Sequence, residues 1–144
     1  MSAAIDSIRP AVSNDCESIW PLARGFATTF RLREDAFAAS FEANIHHDEA
    51  LLIVAERDDG IVGYLLAHCH PTFLANGPVG WVEEVMVDES WRRKGVGEAL
   101  MAAAETWSAA KGAAYIALAS RRALSFYEAI GYEDSATFFR KSLT

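Results

Sequence analysis

The sequence predicts an α/β fold, and three observations carry that prediction. Strand-like runs alternate with amphipathic helical patterns along the 144 residues. Two of those runs flank Asp58-Asp59-Gly60, which reads as a hairpin turn, so part of the sheet is antiparallel. The stretch 81–100, WVEEVMVDESWRRKGVGEAL, reads as a strand, a tight basic turn and a helix start, and a further strand-like run follows it. A helix crossing between two strands makes that pair parallel.

In chain order, residues 5–12 form a first strand with Pro10 near its end or at a sheet edge. Ser13 or Asn14 then caps a helix, and Glu17 is placed to complete a capping box with Asn14. Ile19, Leu22 and Phe26 give this helix an apolar stripe, and Pro21 is expected to kink or divide it. A second helix spans 33–45, with Phe37, Phe41 and Ile45 recurring every fourth residue. Residues 50–56 and 61–70 are the hairpin strands, and 71–80 reads as a loop containing Asn76-Gly77-Pro78. After the strand 81–87, Val96, Leu100, Ala104 and Trp107 place one face of a helix on the sheet, and Gly112 stops it. A strand at 115–119, a short helix at 122–130 and a last strand at 137–141 complete the chain.

Composition narrows the function classes. Lys and Arg number 13 against 20 Asp and Glu, a formal net charge of −7, which argues against nucleic acid as a partner. No run approaches the ~20 apolar residues of a membrane span, and MSAAIDSIRP lacks a basic segment followed by an apolar one. Cys16 and Cys69 have no metal-type spacing and read as reduced thiols of a cytoplasmic protein. His68 and His70 share one strand face, but Cys69 points to the other and no third ligand completes a metal set. With no repeat or linker, residues 1–144 are expected to form one domain.

The turn 92–97, RRKGVG, suits an anion. Gly95 and Gly97 have no side chain to block close backbone approach. The first N–H groups of the following helix have no partner within it, and Arg92, Arg93 and Lys94 supply charge beside them. Such a turn alone is also what a solvated basic turn at a helix start looks like. Neither a Walker A loop nor the dinucleotide fingerprint G-x-G-x-x-G is present.

The order of motifs adds to this. Glu83-Glu84 sits on the strand, R-x-x-G-x-G follows at 92–97, and A-x-x-F-Y-x-x-x-G-Y lies at 123–132. Together these resemble the GNAT superfamily of acetyl-CoA-dependent N-acetyltransferases, with a fainter resemblance to the aminoalkylphosphonate acetyltransferases within it. The resemblance implies a mixed, mostly antiparallel sheet of about six or seven strands with about four helices. Its central parallel pair would be splayed to admit acetyl-CoA. It also implies that the main chain of Val85, Met86 and Val87 meets the pantetheine arm and that Arg92, Arg93, Lys94, Gly95, Val96 and Gly97 hold the pyrophosphate. Ser120 stands where the family often has Asn; it donates a hydrogen bond with shorter reach. The first two helices and their connection, 25–32, would border the acceptor site. Phe26, Phe30 and Phe41 would then line it, although each suits core packing better.

Acetyl transfer to an amine needs a neutral nucleophile. A lysine-like amine with a pKa near 10.4 is neutral in roughly one molecule in a thousand near pH 7.4, so a carboxylate base is useful. The resemblance implies that an acid at the position of Glu83 projects into the acceptor site. Alternation then turns Glu84 away, and a bulge in this strand would upset the count. Tyr127 matches the family tyrosine that donates to the departing thiolate. The implied substrate is a small-molecule primary amine, acetylated by direct attack. A protein N-terminus or lysine as acceptor, and a non-catalytic acyl-CoA-binding module, are the alternative readings. Homodimers are common in the family, and no residue here marks an interface.

Overall fold

The computed structural model describes residues 5–26 and 31–144. Five strands form one mixed sheet in the order β1-β2-β3-β4-β5, where β1 is Ser7–Pro10, β2 Ala50–Arg57, β3 Gly60–Thr72, β4 Gly77–Val87 and β5 Ile116–Leu118. The β1–β2, β2–β3 and β3–β4 pairings are antiparallel, and β4–β5 is parallel. Helices α1 (Cys16–Phe26) and α2 (Glu34–Ile45) cover one face of the sheet, and α3 (Val96–Ala110) covers the other. Helix α4 (Leu124–Ala129) follows β5.

Two apolar clusters follow from strand alternation. Ile53, Ala55, Leu65, Ala67 and Val82 meet Val96, Leu100, Met101 and Ala104 of α3. Val54 and Tyr64, from the opposite face, meet Ile19, Ala23 and Phe41 of α1 and α2. Leu100 and Met101 are fully buried, and each such side chain contributes about 1.5–3 kcal/mol by leaving water. The buried face of α3 differs from the expected one, for Met101 and Ser108 are inside while Trp107 is half-buried beneath the Lys111 ammonium. A small residue is required at position 108 because α3 crosses very close to Gly80; a Cβ on Gly80 would overlap the Ser108 hydroxyl.

Several local expectations change. Helix α1 starts from a 3₁₀ turn at Ser13–Asp15, and Asp15, not Glu17, closes the box: its carboxylate accepts the Val12 N–H at 2.8 Å. Pro21 sits inside α1 without dividing it. Most of the expected loop 71–80 is sheet, because Pro71 pairs with Pro78 and Thr72 with Gly77, leaving 73–76 as the connection. Asn76 takes the left-handed conformation that turn needs, at φ 59°.

The expected strand at 137–141 does not form, and among the described residues the sheet has five strands where about six or seven were implied. Its adjacent phenylalanines suit a strand but supply no hydrogen-bonding partner. Residues 133–144 make no ladder with β5, which is only three residues long, and Phe139 and Leu143 are 87% and 91% exposed. Phe30 lies outside the described residues.

Arg9 fixes the β1 edge to the rest of the molecule. Its guanidinium donates to both Asp15 oxygens, at 2.8 and 3.0 Å, and to both Glu56 oxygens, at 3.2 and 3.1 Å. The Arg9 hydrogen bonds hold both carboxyls below the usual carboxylate range. A carboxyl with a depressed folded pKa contributes stability above its unfolded pKa and loses it as pH falls through the folded one. Asp15→Asn is therefore expected to cost about 1.5–3 kcal/mol at pH 7. The difference from wild type should shrink below pH ~4. Urea unfolding at pH 7 and pH 3 measures both effects; an equal difference at the two values would separate the acid sensitivity from this cluster.

Candidate active site

Pairing between β4 and β5 covers three positions, Gly80 with Ile116, Trp81 with Ala117 and Val82 with Leu118, and then stops. Beyond Val82 the two strands part. The opening is a cleft of about 1610 Å³, walled by residues 81–87 of β4 on one side and by 118–123, Phe126 and Tyr127 on the other. The turn after β4 closes one end of it, and Gly25, Phe26 and Leu32 lie at its border with α1.

The β3–β4 ladder shifts register at the same place. Leu66 pairs with Glu84 and Ala67 with Val82, so Glu83 is the extra residue of a bulge. The side chains record the shift. Val82 and Val85 both pack toward α3 although they are three residues apart. Glu84 points to the α1/α2 face, where its Oε1 accepts a 2.6 Å hydrogen bond from the Tyr64 hydroxyl. Counted from Val82, simple alternation would send Glu84 to the α3 side; the bulge puts it on the α1/α2 face, so the expectation that Glu84 turns away is corrected. Glu84 is half-buried, Glu83 is exposed, and both line the cleft.

The main chain of β4 has an open edge along the cleft. The Asp88 N–H donates to Val62 C=O on β3. Alternation therefore turns the main-chain groups of Met86 toward β3 and those of Val85 and Val87 toward the cleft. Arg92 Nε reaches Val87 C=O at 3.2 Å from that side. The Met86 side chain packs against the α1 cluster, and its methyl group would lie 3.8 Å from a Cβ on Gly25.

The turn 92–97 carries two left-handed residues, Arg93 at φ 62° and Gly95 at φ 84°. This alternation aims successive N–H groups into one concavity at the start of α3, an arrangement suited to an anion. Its cations do different jobs. Arg92 is tied to Val87, and Lys94 lies over the Trp91 ring at 5.0 Å. Arg93 lines the cleft, whereas Lys94 does not. Val96 also departs from the expected group: its side chain is buried in the α3 core. Gly97 is small because α4 packs on it, and a Cβ there would meet Phe126 Cζ at 3.3 Å.

Helix α4 is held at both ends of its aromatic row. The Phe126 ring packs edge-on against Tyr127, Tyr127 packs against Tyr132, and the Tyr132 hydroxyl donates to Glu105 of α3 at 2.7 Å. Tyr127 lines the cleft, and its hydroxyl makes no hydrogen bond among the described residues. Burial raises the pKa of this phenol, keeping it protonated through the neutral range. Ser120 Oγ accepts the Ala123 N–H at 3.2 Å, which shapes the turn into α4 and leaves the hydroxyl proton for the cleft. Phe138 and Arg140 of the C-terminal segment also line the cleft, a placement the sequence reading missed. Their i, i+2 spacing was the available signal. Of the aromatics expected near the acceptor, Phe26 lines the cleft and Phe41 is buried in the core.

The sequence pattern of the acetyltransferase (GNAT) family matches residues 16–132. The chain belongs to that family. It is an acetyl-CoA-dependent N-acetyltransferase. It is 27% identical over 140 residues to an uncharacterised N-acetyltransferase, YhfO, of Bacillus subtilis, covering 92% of this chain and 93% of the relative. It is 30% identical over 103 residues to an aminoglycoside N(6')-acetyltransferase type 1 of Stenotrophomonas maltophilia, covering 65% and 67%. Among solved structures it superposes on the aminoglycoside N-acetyltransferase AAC(6')-Iy in complex with CoA, with a TM-score of 0.81 and 25% identity over 94% of this chain and 93% of that one. No helix among the described residues is long and apolar enough to cross a membrane.

The Gly97–Phe126 contact gives a structural test of this GNAT site. Gly97→Val is expected to destabilise the protein by roughly 1–3 kcal/mol through overpacking. Adding Phe126→Ala should cost less in that background than in wild type, since it makes room for the new side chain. Thermal melts of the two singles and the double read the coupling; strict additivity would mean that α4 does not bear on Gly97.

Proposed function

We propose that this GNAT protein acetylates the primary amine of a small molecule by direct attack, with Glu84 as base and Tyr127 as acid. The observation that carries the reading is the single cleft that joins an open strand edge and an anion-suited turn to a carboxylate pair and an unpartnered phenol. Two similar proteins are named as aminoglycoside N-acetyltransferases, which supports a small, amine-bearing acceptor.

The cleft fits a CoA thioester. Its pyrophosphate matches the N–H concavity at Arg93 to Gly97, and its amide-bearing arm matches the free groups of Val85 and Val87. Ser120 and Arg93 supply donors on the facing walls. When bound, acetyl-CoA supplies an acyl group already activated as a thioester. The chain's residues do the rest. Glu84 or Glu83 takes a proton from the acceptor ammonium, freeing the nitrogen lone pair to form the N–C bond. As the C–S bond breaks, the Tyr127 hydroxyl donates to the sulfur, either as a hydrogen bond or with its proton, and the second proton that nitrogen loses as the amide forms restores the phenol or passes to water. Glu84 is preferred over Glu83 because the bulge turns it onto the face shared with α1, where one carboxylate oxygen is held and the other is left for the amine.

CoA release should be measured with spermidine, aminoalkylphosphonates, aminoglycosides and a lysyl peptide as acceptors. A small amine is expected to turn over fastest. Turnover of the peptide alone would make this a protein acetyltransferase, and turnover of none would make it a binding module. Glu84→Gln should lower kcat by about 10²–10⁴-fold, with acetyl-CoA affinity nearly unchanged, and the loss should narrow at high pH as the amine deprotonates unaided. If Glu83→Gln shows that loss instead, the base moves one residue along the bulge.

Tyr127→Phe preserves ring packing and removes the hydroxyl. We expect normal acetyl-CoA binding and a chemical step slowed by about 10²–10⁴-fold. Because burial raises the phenol pKa, the wild-type rate should fall only above its ordinary value near 10, on a limb the mutant lacks. Equal single-turnover rates for the two proteins would make Tyr127 a packing residue.

A further inference from the structure

We propose that Tyr64 is a positioning residue for the reaction, its buried hydroxyl holding the Glu84 carboxylate at the acceptor end of the cleft. This rests on the reading of Glu84 as base. The two residues come from neighbouring strands. Tyr64 pairs directly with Met86, and Glu84 lies two positions from Met86 on β4, so all three share the α1/α2 face. Had the ladder continued from the Ala67–Val82 pair without a bulge, Glu84 would oppose Leu65 and face α3, and the pair could not form.

The contact has the marks of a support for a cleft group. Tyr64 is 2% exposed, packed in the cluster with Ala11, Ile19, Ala23, Phe41 and Val54. A phenol buried there needs an acceptor, and the one supplied is a carboxylate that also faces the cleft. Burial, and then the charge of Glu84, push the Tyr64 pKa far above the ordinary tyrosine value, so the hydroxyl is a fixed donor. The 2.6 Å separation is that of a charge-assisted O–H···O bond. Oε1 is engaged, the flexible Glu side chain loses its alternative rotamers, and Oε2 remains for the amine. Nothing is transferred to or from Tyr64; its role is to keep the carboxylate where the ammonium must arrive.

The test uses the full chain, acetyl-CoA and the fastest amine of the panel above. Tyr64→Phe keeps the ring and is expected to lower kcat by roughly 10- to 100-fold, the scale of an ångström-sized misplacement. The acetyl-CoA Kd should stay close to wild type, and the variant should remain folded with a melting temperature lowered only by the loss of one charge-assisted hydrogen bond. The decisive arm is the cycle with Glu84. In the Glu84→Gln background, Tyr64→Phe should cost less than about twofold, because the loss passes through that carboxylate. Glu84→Asp, which keeps the charge and withdraws it from the hydroxyl, should imitate Tyr64→Phe and guards against a poorly folded Tyr64 variant. A wild-type kcat in Tyr64→Phe, or the same fold loss with and without Glu84, would overturn the proposal. A wild-type rate in Glu84→Gln would instead sink the reading of Glu84 as base.

Discussion

One extra residue in β4 sets the geometry on which the site depends. The bulge at Glu83 lies immediately after the last position at which β4 pairs with β5. A bulge bends its strand and raises the local twist, and here it coincides with the point where the parallel pair opens. The opening leaves the main chain of Val85 and Val87 without a strand partner on one side. That cost is tolerable because Arg92 satisfies the Val87 carbonyl and because a ligand can occupy the rest. The same insertion rotates Glu84 onto the α1/α2 face. Cleft and carboxylate placement are thus two outcomes of one change in register.

Charge is distributed along the cleft in a way the net value hides. The chain is acidic overall, yet Arg92, Arg93, Arg121, Arg122 and Arg140 line the cleft together with Glu83, Glu84 and Glu98. Not every cation in the turn is left for an anion. Arg92 is a rivet on the strand end, and Lys94 shares the Trp91 ring with Arg57, which stands 4.6 Å from its centroid. The backbone N–H groups and Arg93 are what remain for an anion, which is why the glycine and the left-handed residues of this turn matter as much as its charge.

Much of the fold was legible because it follows from periodicity. The β2–β3 hairpin, the parallel β4–β5 pair, the edge position of Pro10 and the second helix all emerge as the patterns of Asp58-Asp59-Gly60, 81–118 and Phe37-Phe41-Ile45 indicate. The motif residues Arg93, Gly95, Gly97, Ser120 and Tyr127 meet around one cleft. What was not legible depends on tertiary contacts. A bulge leaves no mark in a run such as Val82-Glu83-Glu84-Val85, where either glutamate suits either face. Taking Trp107 and not Ser108 as an inside position follows apolarity and helical spacing, whereas Ser108 is placed inside by how closely α3 approaches Gly80. The strand expected at 137–141 failed for a related reason. Strand-favouring residues state what suits a sheet; they do not supply an edge to pair with.

The phenol of Tyr127 shows how packing can serve chemistry without touching the reacting group. Short helices do not hold themselves, and α4 has only six residues. It is fixed from outside, at one end by the Phe126 ring over Gly97 and at the other by the Tyr132 hydroxyl on Glu105. Both contacts are made to α3, the helix whose first turn also forms the N–H concavity. The anion-suited turn and the phenol are therefore referenced to one rigid element. Between those two anchors Tyr127 is gripped on its ring faces while its hydroxyl is left without a protein partner. Here the two neighbouring aromatics carry the packing load, and the middle one keeps its proton free for the cleft.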